Sequence, residues 1–470
     1  MNWKAEEKDM SKKYLKYLFE SHKVAWFFFG ILYFLLVMIF DGQSSTGLLV
    51  VFPDFRPEFA FHLGIAGTYI LPFFLFAFVH EKKACDQMFA LPLSRKKLLA
   101  TSLVFAFLVL ACYFTVTVSF IWVRWKMNFI SLLEVLGIYY VCIVVMLCVN
   151  SFFYLLGNNL LDGVVMTISY SLFPLVLLLA LSAALNQIIA GTGEIQGLNS
   201  LINYLSPFSL CESLFSNLSS HSDSFGISLS WFLVLAGEWL CACFGLKKEF
   251  IERKTERAEN ISDNKLAYPL VVHVYLAVVM IGVASMVIHS SISECLPTLI
   301  VLFVVYIIAM FVYKRKIQIT VKLLARFAIC ALACFGFIYA GFYTKGFHQA
   351  EKFSLHQGKY IVYYYDDFSR NDEPHFTLTI PVDEKKKYQE VLDLMENYRK
   401  ENIDLYYQDI HDQWALNSQG WLNWKVMDSN DEMNQNQYQY NGRSINTGRP
   451  LTKEELAVIG KYTKVETVMN

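Results

Sequence analysis

The chain has 470 residues, 55% of them hydrophobic and only 17% charged, with a mean hydropathy of +0.37 and a formal net charge of −1. An average soluble protein is about 25% charged, so this composition excludes a purely soluble globular protein. The net charge carries no information by itself; its distribution along the chain does, and no nucleic-acid partner is expected.

Nine apolar segments long enough to cross a bilayer are predicted, at 24-40, 61-79, 98-122, 131-156, 164-189, 227-246, 268-289, 295-313 and 323-343. Backbone amides cannot stay unpaired in lipid, so each is predicted to be a helix. The first 23 residues are charged and amphipathic, and no cleavable leader is evident. All ten cysteines lie at or before Cys334, mostly in apolar runs, and no CxxC pair occurs. Neither a disulfide framework nor a metal site is expected.

Lys and Arg fall in alternate connections: six in 1-23, five in 80-97, six in 247-267 and four in 314-322. The intervening connections 41-60, 123-130, 190-226 and 290-294 carry three together. By the positive-inside rule the N-terminus is cytoplasmic, and nine crossings leave the C-terminus outside, at the plasma membrane. Residues 344-470 are polar and hold 15 Lys and Arg against 20 Asp and Glu. "KYIVYYYDDF" and "HFTLTIPV" have the alternation of strands, and "DEKKKYQEVLDLMENYRK" the spacing of a helix, with Leu392, Met395 and Tyr398 on one face. The fold class expected is an all-α polytopic membrane protein with a C-terminal α+β extracytoplasmic domain. The expected divisions are 1-23, an amphipathic segment; 24-246, six helices; 247-267, a cytoplasmic linker; 268-343, three further helices; and 344-470, the outer domain.

Several residues stand out. Glu238 puts a carboxylate inside the sixth span, where it either lines a translocation path or is satisfied by neighbours. Asn150, in the fourth, is either part of that path or an interhelical hydrogen bonder. Tyr363, Tyr365, Trp414 and Trp421 are outer-domain aromatics that form either a packed core or a surface for a cationic peptide, lipid headgroup or cell-envelope ligand. No phosphate loop, zinc-protease, nucleophile-elbow or kinase motif is present, so no catalytic residue, metal or cofactor is expected on this chain.

The segment "HEKKACDQMFALPLSRKKLL" at 80-99 joins the second and third spans. Pro92 should end a short amphipathic helix, and Ser94 should cap the next. On composition alone it is a solvated loop with basic anchors for lipid phosphates. Its pattern resembles the first cytoplasmic loop of ABC-2 type ABC transporter permeases, in residues Glu81, Phe89, Leu91, Pro92, Leu93, Ser94, Arg95 and Lys96. The amphipathic "SKKYLKYLFESHKVAW" before the first span is similar to the elbow helix of that family. The resemblance covers about 10-250; the last three spans and the outer domain look like an extended Gram-positive branch. It implies a permease whose loop 80-99 is a coupling helix, with Glu81, Met88, Phe89, Leu91, Pro92, Ser94 and Arg95 contacting an ATPase or placing that contact. It further implies ATP and magnesium on the partner ATPase, a second permease copy or sister permease, and contact with membrane lipids. The expected function is movement or extraction of a drug, antimicrobial peptide or lipid-linked compound. A membrane-anchored sensor or scaffold is the alternative.

Overall fold

A computed structural model describes residues 3–21, 23–40, 57–125, 129–190, 201, 204–219, 229–260, 264–287, 292–314, 319–348, 359–367, 374–408, 420–427, 443–447, 450–464 and 466–467. Among them the helices are α1 (Trp3–Ser21), α2 (Lys23–Phe40), α3 (Glu58–Leu75), α4 (Lys82–Phe89), α5 (Arg95–Trp125), α6 (Phe129–Leu155) and α7 (Leu160–Ile188). Then come α8 (Pro207–Ser219), α9 (Leu229–Leu246), α10 (Tyr268–Val287), α11 (Ile292–Lys314) and α12 (Val321–Tyr343). Eight helices are long and apolar enough to cross a membrane, or nine if the pair α1–α2, bent by 67°, counts as one span. The chain is a multi-pass membrane protein with a distinct non-membrane C-terminal region. Each predicted segment overlaps one of the long helices, with ends displaced by up to four residues.

The second span starts and ends earlier than expected. Helix α3 stops at Leu75, and Ala77–His80 form a 3-10 turn. Pro72 has no N–H to give, so the last turn of α3 is already weakened before it ends. The connection 190-226, expected to be an outer loop, contains α8. At 13 residues α8 is about 20 Å long, too short for the ~30 Å hydrocarbon core. Its Leu210, Cys211, Leu214 and Phe215 are nevertheless buried, and Phe215 stacks on Phe61 near the start of α3 with ring centroids 4.2 Å apart.

The chain divides into two compact units, 1–175 with 200–271, and 176–199 with 272–470. The division falls inside α7. In the first unit, α6 is the central helix: α3, α5, α8 and α9 all pack on it. Tyr139 of α6 is fully buried and stacks on Phe114 of α5 at 3.5 Å.

In the second unit, α10, α11 and α12 share a core of Leu276, Met280, Tyr306, Met310 and Leu323. Its C-terminal part is an antiparallel sheet of β1 (Tyr360–Asp367), β2 (Pro374–Pro381), β3 (Gly420–Met427), β4 (Arg443–Thr447) and β5 (Glu466–Thr467), in the order β4-β3-β1-β2-β5. Helix α13 (Gln389–Gln408) follows a 3-10 turn over Val382–Tyr388 and buries Leu392, Met395 and Tyr398, the face predicted from spacing. The short α14 (Lys453–Ile459) opens with a capping box between Thr452 and Glu455. Alternation along β1 decides which aromatics are inside: Ile361, Tyr363 and Tyr365 face the core.

Candidate functional site: a platform around Arg253

Three connections of the first unit meet at one end: the segment after α3, the turn between α6 and α7, and the segment after α9.

The segment after α3 folds as the sequence suggests. Helix α4 ends at Phe89, ahead of Pro92. Around Pro92 the chain turns tightly, with the Leu93 N–H donating to the Leu91 carbonyl at 2.7 Å. The Ser94 carbonyl then accepts the first bond of α5 from Leu98, so Ser94 occupies the capping position expected of it. Met88 and Leu91 are half-buried, while Glu81, Pro92 and Ser94 are exposed.

Phe89 does not face outward. Its ring lies 6.1 Å from Phe78 and 5.7 Å from Phe250, both edge-on, and the Arg95 guanidinium sits 4.1 Å from its centroid. The apolar side of α4 is therefore absorbed by the chain's own aromatics. Phe89 and Met88 are half-buried, so part of each side chain remains accessible. The outward face of α4 is Lys82, Lys83, Asp86 and Gln87.

Arg253 organises the rest. It is 1% exposed. Its guanidinium donates to the Leu155 carbonyl at 2.9 Å, the Gly157 carbonyl at 3.1 Å and Asn158 Oδ1 at 3.2 Å. Those acceptors are at the C-terminal end of α6, where helix carbonyls lack partners and the dipole favours a cation. Burial pulls the Arg253 pKa down to about 10, so it stays charged at neutral pH. Arg95 in turn donates to the carbonyls of Ile251 and Arg253. One guanidinium thus ties the segment after α9 to the end of α6, and a second ties it to the start of α5.

Glu259 adds a third tie. Its backbone N–H donates to the Asn158 carbonyl at 3.0 Å, and its carboxylate accepts from the Lys82 N–H at 3.2 Å, at the first turn of α4. It holds a left-handed φ of 65°, uncommon for a residue with a side chain. Glu249, buried beside this segment, pairs with Arg257 at 3.6 Å and accepts from Asn264 at 2.9 Å. The α6–α7 turn needs its glycines: a Cβ on Gly157 would come within 2.3 Å of the Gly163 nitrogen. His80 is buried against Tyr154, ring centroids 4.6 Å apart. Burial first, and then the Arg253 charge, pull its pKa down to about 3, so it is neutral.

The other singled-out residues lie elsewhere. Asn150, fully buried in α6, donates to Thr68 Oγ1 of α3 at 2.9 Å, an interhelical hydrogen bond. Glu238 is half-buried in α9, with one carboxylate oxygen buried and without a hydrogen-bond partner among the described residues. The structure does not bring the two together with the platform. Tyr363 and Tyr365 are fully buried: Tyr363 donates to Glu396 at 2.7 Å and the Tyr365 hydroxyl accepts from Leu451. They belong to the core, and the idea that they form a ligand surface is corrected accordingly. Trp421 is half-buried and meets Tyr364 edge-on at 6.0 Å. Trp414 lies outside the described residues. No group of three or more His, Cys, Asp and Glu able to hold a metal is found among the described residues.

Sequence reasoning missed Arg253, Glu259, Phe250 and His80. Arg253 sits in "KKEFIERK", which has the composition of a solvated basic anchor. The only local signal is the apolar pair Phe250–Ile251 inside that charged run.

Comparison with protein-family models, with curated proteins and with solved structures finds no match to this chain.

Proposed function

We propose that the chain is the permease subunit of an ABC-2 type ABC transporter, working with a separate ATPase and with a second permease, itself or a sister chain. The supporting observation is the folded state of 80-99. A loop that only anchored a span would have no need of two buried or half-buried arginines and a remote carboxylate to hold one eight-residue helix. A coupling element does need that stiffness, because a push on its outer face must reach the spans. Here a push on α4 meets Arg95 at the start of α5, and Arg253 at the end of α6. ATP and magnesium bind the partner, and the substrate class is a drug, an antimicrobial peptide or a lipid-linked compound. The platform is cytoplasmic and the C-terminal domain is outside.

A second reading, a membrane-anchored sensor or scaffold, draws on the second unit. There Tyr406 and Tyr407 of α13 donate to the carbonyls of Gln187 and Ile188 at the end of α7, at 3.0 and 2.8 Å. Lys345 pairs with Asp404 at 2.6 Å. The domain is thus fastened to two membrane helices and suited to report a ligand. Purification from native membranes separates the readings. The permease reading expects a chain carrying a phosphate loop to co-purify in stoichiometric amount. Co-purification of other chains without such an ATPase favours the sensor.

A further inference from the structure

Helices α2, α3 and α5 of the first unit do not close against each other along their whole length. Between them lies a cavity of about 240 Å³. It runs along α2 from Trp26 to Leu36, about 15 Å at 1.5 Å per residue. We propose that this slot holds one acyl chain of a membrane phospholipid.

The lining decides the chemistry. Every side chain facing the slot is aliphatic or aromatic, and the two with hydroxyls have spent them: Tyr33 donates to the Ala60 carbonyl at 2.6 Å and Tyr113 to the Trp26 carbonyl at 2.5 Å. Nothing in it can hold a water or a headgroup. A dry apolar space is filled by apolar matter or left at a cost in lost dispersion contacts. Its rim is open on the outer side of the bundle, where Phe29, Leu32, Ile70 and Phe74 are between 47% and 63% exposed. In a bilayer that side faces hydrocarbon.

Shape and charge select among apolar occupants. A slot about 15 Å long matches half of the ~30 Å hydrocarbon core, which is the depth of one leaflet. A space of about 240 Å³ along that length is far too narrow for a partner helix, about 10 Å across, which leaves a single slender chain as its occupant. The slot begins in the first turn of α2, one turn after exposed Lys23, with the lysines of α1 preceding it. Those cations lie at the level where the phosphate of a lipid whose chain fills the slot would be. Close approach closes the back of the slot: a Cβ on Gly67 would come within 2.5 Å of Leu110, and one on Gly30 within 2.8 Å of Tyr113, so α3 and α2 each pack tightly on α5 at these points.

The experiment uses the full chain in nanodiscs containing phosphatidylglycerol with a photoactivatable group at mid-chain. Labelled positions are located by mass spectrometry. Two substitutions change the slot from its open side. Ala66→Trp, at an exposed position on its wall, fills it, and Phe29→Ala widens it. The wild type is expected to concentrate label on Ile70 and Phe74, well above Leu133 and Val141, which are comparably exposed on α6. Ala66→Trp is expected to cut that label about fivefold or more while leaving α6 labelling unchanged, and Phe29→Ala to raise it. Label spread in proportion to exposure, or unmoved by either variant, overturns the proposal. So does efficient disulfide cross-linking between two copies of an Ala66→Cys chain, which would make a second copy the cover.

Discussion

Two buried arginines, one in each unit, are held in different ways. Arg253, in the first, is surrounded by neutral acceptors: two main-chain carbonyls and an amide oxygen. Arg399, in the second, is also 1% exposed, but pairs with the Glu396 carboxylate one turn away at 2.8 Å and lies 5.6 Å from the Trp424 ring. A carboxylate partner keeps charge local and fixes one helix face in a core. Neutral carbonyls at a helix end do something else: they let one cation join two chain segments, its own and the end of α6, through directed hydrogen bonds. Arg399 builds a domain, whereas Arg253 builds a junction.

Substitutions break this comparison in descending order of effect. Arg253→Ala leaves the α6 end and its following turn unpaired and buried, at a cost of roughly 3–5 kcal/mol. Thermal unfolding of the purified chain should show the loss, and limited proteolysis should open 80–99 and 252–260 together. Arg253→Lys should recover little, since an ammonium cannot span the same three acceptors. Arg399→Ala removes one charge-assisted pair and should cost about 1.5–3 kcal/mol, with new cleavage confined to residues 359–467. Equal and unselective cleavage in both variants would erase the distinction.

Acidification comes next. His80 is held neutral, with its folded pKa far below the usual 6.5. The unfolded state therefore binds the extra proton first, and the stability is complete above about pH 6.5. It falls as pH drops toward 3, by up to about 1.4 kcal/mol per pH unit. Between pH 7 and 5 the platform should loosen in wild type, and His80→Phe should flatten that profile. The smallest effect is expected at Glu259. Glu259→Gln keeps the backbone tie but loses the charge at the α4 N-terminus, worth about 0.3–1 kcal/mol. Hydrogen exchange at the first turn of α4 is the measurement sensitive enough to see it.

How much of this was legible from sequence follows from the range of the interactions. The long helices were legible because lipid imposes a 20-residue apolar run on each. So were α4, its stop at Pro92 and the Ser94 start of α5, which depend on neighbours within four residues. Strands β1 and β2 showed in their alternation, whereas β3, β4 and the sheet order rest on long-range pairing. Helix α8 escaped because 13 residues fall below spanning length. The platform escaped for a different reason. Arg253 reaches back 98 residues to the end of α6, and Lys82 receives its cap from Glu259, 177 residues away. Nothing in the composition of "IERK" distinguishes a buried guanidinium from a solvated one. The neighbours of Phe89 were not legible either, because the aromatics beside it, Phe78 and Phe250, belong to other segments.

The central claim, that the charged outer face of α4 is where an ATPase docks, has a direct test. Phe89→Asp cannot supply it, since that change would break the chain's own aromatic cluster. Asp86→Lys with Lys83→Glu alters only exposed side chains. The doubly substituted chain should insert and unfold at the wild-type temperature, yet lose the co-purifying ATPase and its ATP-dependent transport in proteoliposomes. Retention of a stoichiometric ATPase by the doubly substituted chain, with transport at the wild-type rate, would contradict the claim.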